Sequence, residues 1–239
     1  MIYFIALIFA LLPSIAWLLF YLRKDTHPES NWQVMKIFFY GMLAALPAIF
    51  LELGIFELLA SIKAPAFLTS LLLILVGVAL VEELLKYLVV KGKVLRNAEF
   101  DEPTDAVLYM IIAALGFAAS ENILIFFGPD WPYKFVDAFF VSGFRFIGAT
   151  FLHALCSGII GFFIALSLFK TTKRKKLIIT GLFIAIALHG LYDFSIIEID
   201  GLAGFIVPII ILIGLAVWLS FAIQKLKRLK SICLPDKKY

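Results

Sequence analysis

The chain is 239 residues long, 63% apolar and only 16% charged, a balance too poor in polar residues to cover the surface of a soluble fold. A mean hydropathy of +1.05 and 25 phenylalanines exclude intrinsic disorder, nucleic-acid binding as a principal role and a disulfide-stapled secreted module. The composition points to an all-α, polytopic transmembrane helix bundle in contact with the lipid bilayer.

Seven apolar stretches follow along the chain, at 1–22, 34–53, 66–90, 106–127, 147–169, 177–198 and 204–224. Each approaches the roughly 20 residues needed to cross a hydrocarbon core. The first has a weak small-residue pattern at Ser14 and Ala16 but no basic leader, and reads as a retained helix rather than a signal peptide. Residues 52–63, with Glu52, Glu57 and Lys63, read as an interfacial segment after the second span. Residues 131–146 hold Trp131, Tyr133, Phe135, Phe139, Phe140, Phe144 and Phe146, and read as a short interfacial helix or an aromatic belt. Cys156 falls within a span and Cys233 in the tail, which argues against a disulfide between them.

Charge sets the orientation. Arg23, Lys24, Lys91, Lys93, Arg96, Lys170, Lys173, Arg174, Lys175, Lys176, Lys225, Lys227, Arg228, Lys230, Lys237 and Lys238 all fall on one side, against Lys63 and Lys134 on the other. The positive-inside rule then predicts an external N-terminus and a cytoplasmic C-terminus. Lys36, Lys86 and Arg145 lie in or beside apolar segments.

Ionisable residues inside a membrane cost about 2.5–3.5 kcal/mol each on insertion scales, and usually face the bundle interior for a functional reason. Here four successive spans contribute them: Glu82, Glu83 and Lys86; Glu121 with Asn122; His153; and His189 with Asp193. Glu82 and Lys86, four apart, share a helix face on which the ammonium neutralises a carboxylate, while Glu83 points about 100° away. An ion pair that merely stabilises the bundle accounts for Glu82 and Lys86. Adjacent buried carboxylates, however, are also how proton-transfer sites are tuned.

Glu121, His153 and His189 make a His₂Glu donor set of the kind that leaves one zinc position open for water. Asp193, one turn from His189, can orient its imidazole. Ala154 with Gly158, and Ser157 with Gly161, form small-residue stripes for close helix approach. Depth raises a difficulty. At 1.5 Å per residue, Glu121 and His153 fall about 7 Å outward of their segment midpoints and Glu82 about 6 Å inward. The groups meet only if the third segment lies deeper, spanning about 73–95 with Lys91 and Lys93 snorkelling, or is tilted or kinked.

The pattern Glu82-Glu83-x-x-Lys86, Phe117-x-x-x-Glu121-Asn122, an isolated His153 and His189-x-x-x-Asp193, in that order, resembles the PrsW family of bacterial membrane proteases. That family is distantly related to type II CAAX prenyl endopeptidases and bacteriocin-processing enzymes. The CAAX relatives carry His where this chain has Glu121, so the resemblance favours PrsW over prenyl-protein processing. It covers roughly residues 66–198 and implies a peptide-bond hydrolase of the bacterial cell membrane, acting on a membrane-anchored protein such as an anti-sigma factor. It also implies one membrane domain in three parts: residues 1–65 with two spans, a catalytic core at 66–198, and the last span with its basic tail at 199–239.

On this reading Glu82 or Glu83 is the general base, and His153 positions the attacking water or binds a metal. His189 stabilises the oxyanion or completes the metal shell, with Lys86, Asn122 and Asp193 in support. Zinc and a metal-free, glutamate-activated water both remain open. The competing readings are a proton-coupled transporter using the same Glu, His and Asp residues as a relay, a retinal protein and a non-catalytic receptor or scaffold.

Overall fold

A computed structural model of the chain describes residues 2–25, 27–62, 64–95, 100–128 and 134–229. Lys63, Arg96, Trp131, Tyr133, Lys230, Cys233, Lys237 and Lys238 lie outside the described residues. Among those described there is no strand, and seven helical segments are long and apolar enough to cross a membrane. The helices are α1 (Ile2–Leu22), α2 (Asn31–Ile62), α3 (Ala66–Leu72), α4 (Val81–Lys93), α5 (Pro103–Phe126), α6 (Phe135–Ile147), α7 (Ala149–Phe169), α8 (Arg174–Glu198) and α9 (Ala203–Lys227). A π-helical stretch, Leu73–Leu80, joins α3 to α4 in one continuous span from Ala66 to Lys93.

Helix α5 is the axis of the bundle. Every residue from Ala106 to Ala119 is buried, so this helix is apolar on all sides, as a helix enclosed by others must be. Its start is built locally. Pro103 occupies the first turn, where its missing N–H costs nothing, and the Asp105 carboxylate accepts the backbone N–H of Glu102 at 2.7 Å and of Asp101 at 3.0 Å.

Helices α1, α2 and α7 pack around this axis, with α8 and α9 outside α7. Small residues set the closest crossings. A Cβ on Gly41 would lie 2.1 Å from the Ala113 carbonyl oxygen, and one on Gly116 would lie 2.0 Å from that of Phe38, so α2 and α5 touch backbone to backbone. Gly161 of α7 meets Ala106 and Val107 of α5 equally tightly, which gives the predicted small-residue stripe its partner. On the outside, Phe50 of α2, Phe183 of α8 and Phe205 and Phe221 of α9 are exposed. In a lipid solvent these are the favourable contacts of the bundle rather than a defect.

Six of the seven spans end within three residues of the sequence expectation. The second does not. Residues 52–62 continue α2 without a break, despite Pro47, and do not form a separate interfacial segment. Its 32 residues would measure about 48 Å, well beyond a hydrocarbon core of about 30 Å. The expected interfacial helix at 131–146 appears as α6, turned into α7 at Gly148, where a Cβ would lie 2.6 Å from the Tyr192 hydroxyl. Ser142 donates to the Phe9 carbonyl at 2.8 Å, and Trp17 donates to that of Phe146 at 2.8 Å, fastening α6 against α1.

The basic residues collect at one end of the bundle. Lys227 donates to the Lys24 carbonyl at 3.1 Å, and Lys93 lies over the Tyr40 ring at 4.2 Å. Of the polar cluster, Glu121 and Asp193 fall in the last two turns of α5 and α8 and His153 in the second turn of α7, whereas Glu82, Glu83 and Lys86 fall in the half of the third span that leads to Lys93.

Candidate active site

Helix α4 carries its polar face inward. Glu82, Glu83 and Lys86 are buried, while Leu84 and Leu88 are exposed, the inverse of the pattern on a soluble protein's surface helix. The π-helical stretch ends immediately before this turn, and such segments often mark functional sites. It packs directly on α8, where a Cβ on Gly190 would lie 2.4 Å from the Leu75 side chain. That approach brings His189 against the first turn of α4.

The four polar motifs converge. Lys86 Nζ donates to Glu82 Oε2 at 3.0 Å and Glu83 Oε1 at 2.9 Å, and lies 2.8 Å from His153 Nδ1. Its three N–H donors therefore have three acceptors, and the ammonium also lies 4.5 Å from the centre of the Phe117 ring. The spacing argument paired Lys86 with Glu82 alone; the ammonium in fact bridges both carboxylates. The depth difficulty is met by an axial offset: Glu82 lies past the middle of the third span, Ala66–Lys93, yet its carboxylate approaches His153 in the second turn of α7, so the two helices are shifted along one another.

Both imidazoles have an outer nitrogen held by a carboxylate. Because an ammonium can only donate, His153 Nδ1 is the acceptor toward Lys86, and Nε2–H donates to Glu121 Oε2 at 2.8 Å. His189 Nδ1 donates to Glu83 Oε1 at 3.0 Å, and Ser157 Oγ donates to the other oxygen of Glu83 at 2.9 Å. The remaining nitrogens turn toward Glu82: His153 Nδ1 lies 3.6 Å and His189 Nε2 3.8 Å from Glu82 Oε2. Asp193 Oδ2 lies 3.2 Å from His189 Nε2.

Glu82, His153 and His189 could hold a metal ion, since each offers a donor atom within 4.8 Å of the other two. The donor types suit zinc: two imidazoles and a carboxylate, with the far nitrogen of each imidazole anchored on another carboxylate. An ion there would displace the Lys86 ammonium from Glu82 Oε2 and His153 Nδ1, and the Asp193 contact from His189 Nε2. Glu121, the carboxylate named in the sequence-derived set, touches His153 through its outer nitrogen and is bound on its other side by Arg145, at 2.9 Å. In this geometry Glu82 stands where Glu121 was expected.

A cavity of about 330 Å³ opens beside the cluster, lined on its polar side by Glu82, Glu121, His153, His189, Asp193 and Arg145. Ala45, Ala48, Ile49 and Phe117 are among its apolar walls. Glu83 is fully buried behind this surface and Glu82 reaches it. Arg145 of α6 spans the rim, donating to Asn122 Oδ1 at 2.6 Å as well as to Glu121. Asn122 in turn donates to Thr150 at 3.3 Å.

Sequence reasoning brought Glu82, Glu83, Lys86, Glu121, Asn122, His153, His189 and Asp193 to one place. It missed Arg145, Ser157 and Glu52. The rule that flags intramembrane ionisable residues applies to Arg145 and Glu52 as well, but both were read as lying at segment edges.

These features define a class: a polytopic membrane protein with a carboxylate and histidine centre sunk among its helices and open to a cavity. Residues 29–220 match the family described as PrsW family intramembrane metalloprotease. Similar proteins, each named Protease PrsW, include those of Geobacillus kaustophilus (30% identical, covering 94% of this chain and 92% of the relative) and Bacillus subtilis (28%, covering 92% and 93%). That of Clostridioides difficile is 26% identical over 77% of this chain and 76% of its own. No solved structure matches. The chain belongs to the PrsW family of intramembrane proteases. It is an integral protein of the bacterial cell membrane and a membrane-embedded endopeptidase with a membrane-protein substrate. Membership decides against the transporter, retinal-protein and scaffold readings.

Proposed function

We propose that Glu82 is the general base of peptide-bond hydrolysis and that the cut falls near the external face of a membrane-anchored substrate, with an anti-sigma-factor-like single-pass protein as the expected class. One observation carries the choice of base: Glu82 lines the cavity, whereas Glu83 is fully buried and engaged by Lys86, His189 and Ser157. A carboxylate must reach the attacking water to take its proton. Glu83 is a positioning residue that fixes the tautomer and direction of His189, as Glu121 does for His153.

Lys86 holds the charge of the pair and orients Glu82. His153 Nδ1 carries no proton and accepts from Lys86, so it holds the ammonium beside Glu82, while the donors available to the developing oxyanion are Lys86 Nζ and, when protonated, His189 Nε2. Asp193 orients His189 from the cavity side, and Asn122 sets the direction of Arg145. A zinc ion held by His153, His189 and one oxygen of Glu82 would leave the other Glu82 oxygen to act as base and would supply Lewis-acid polarisation and a more acidic water. The external location of the cut rests on the charge asymmetry and on Glu121, His153 and Asp193, which lie in the halves of their helices away from the basic loops.

The test is cleavage of a single-pass, membrane-anchored candidate by variants shown to insert normally. Glu82→Gln, His153→Ala and His189→Ala are expected to lose cleavage by at least about 100-fold, the usual scale for removing an acid–base group, while Glu83→Gln retains a measurable rate. Undiminished cleavage by Glu82→Gln and by both histidine variants would sink the assignment.

A further inference from the structure

Every carboxylate of the cavity except one has a charged or imidazole partner. Glu82 meets Lys86, Glu121 meets Arg145, and Asp193 meets His189. Glu52 lines the same cavity from α2, and among the described residues it has no hydrogen bond or ion pair. The charged groups within its electrostatic reach are Glu121, Lys86 and His189. Ala45, Ala48, Ile49 and Glu52 recur at the helical spacing of three, four and seven, so they form one stripe of α2 facing the cavity. Their neighbours Phe50, Leu51 and Leu53 are exposed on the lipid side. The carboxylate is therefore aimed into the site by the phase of the helix, in a medium where an unneutralised charge is costly.

We infer that Glu52 is a specificity-determining residue that receives a Lys or Arg side chain of the substrate close to the scissile bond. Two observations converge. At this point the cavity wall presents a carboxylate that, among the described residues, has no hydrogen-bond or ion-pair partner of its own. Glu52 and Glu82 line the same cavity, so a substrate strand that brings its scissile bond to Glu82 also passes Glu52. An incoming cation gains most where the site holds a carboxylate that lacks a partner of its own. The inference rests on the protease reading of the cavity, which the experiment checks separately.

The probe is a single-pass membrane protein with an alanine-rich juxtamembrane segment, along which a single Lys, Gln or Glu is walked. Released fragments are quantified and the cut located by mass spectrometry. With the wild-type enzyme, Lys at one position close to the cut is expected to raise cleavage about tenfold over Gln at the same position. Glu52→Gln should bring that ratio to about one, and Glu52→Lys should turn the preference toward Glu. A wild-type ratio near one, or a ratio that Glu52→Gln leaves unchanged, would overturn the inference while leaving the protease reading intact. Loss of cleavage of every reporter in Glu52→Gln would also overturn it, by placing Glu52 in the chemistry instead. If the wild-type enzyme and Glu82→Gln cleave a reporter at the same rate, the reading of the cavity itself fails.

Discussion

Removal of the Lys86 ammonium is the sharpest test of how this interior is held together. Lys86 is fully buried, with contacts of 3.0, 2.9 and 2.8 Å to Glu82, Glu83 and His153 and the Phe117 ring 4.5 Å away. Lys86→Met keeps most of the side-chain volume, so the packing loss is small. What remains is a pair of carboxylates with no ammonium between them, and breaking a buried pair by deleting one partner costs about 3–5 kcal/mol. Unfolding of the purified protein in mixed micelles should register a loss of that size. Glu83→Gln on the Lys86→Met background should recover part of it, because one of the two stranded charges is gone. The double-mutant cycle then yields a coupling of about 0.5–3 kcal/mol, the range found for groups in one network. A Lys86→Met variant within about 1 kcal/mol of the wild type, or a coupling near zero, would refute the claim that this ammonium balances both glutamates.

Three further outcomes are expected. Metal analysis of purified protein should give near-stoichiometric zinc that falls in Glu82→Gln, His153→Ala and His189→Ala; retention of zinc by Glu82→Gln together with its loss in Glu121→Ala would restore the sequence-derived ligand set. Gly116→Val should destabilise by at least about 1–3 kcal/mol, the usual cost of overpacking, because even its Cβ would lie 2.0 Å from the Phe38 carbonyl oxygen; Gly54→Ala, which meets nothing within 4 Å, is the control, and equal unfolding of the two would contradict the helix crossing. Reporter fusions at Lys173 and Gly201 should lie on opposite faces of the membrane, with Lys173 cytoplasmic.

The helices were legible because lipid allows little else: a run of about 20 apolar residues must form a helix or leave its backbone unsatisfied. The site was legible for the same reason, since Glu82, Glu83, Glu121, His153 and His189 are too costly in lipid to be incidental. What could not be read was how the helices slide along one another. Hydropathy locates a span but not its offset from its neighbours, and it marks neither the π-helical run at Leu73–Leu80 nor the turn at Gly148 from which α7 starts. The offset decides that Glu82, not Glu121, faces both imidazoles. Glu52 was lost differently. Reading the second apolar stretch as ending at residue 53 set Glu52 at a border and not in a cavity wall, although α2 runs on to Ile62 and Glu52 lines the cavity. A long helix thus hides an informative residue at the point where its apolar run stops. An acidic residue in phase with upstream alanines, as Glu52 is with Ala45 and Ala48, is the periodic signal that separates a cavity wall from a membrane border.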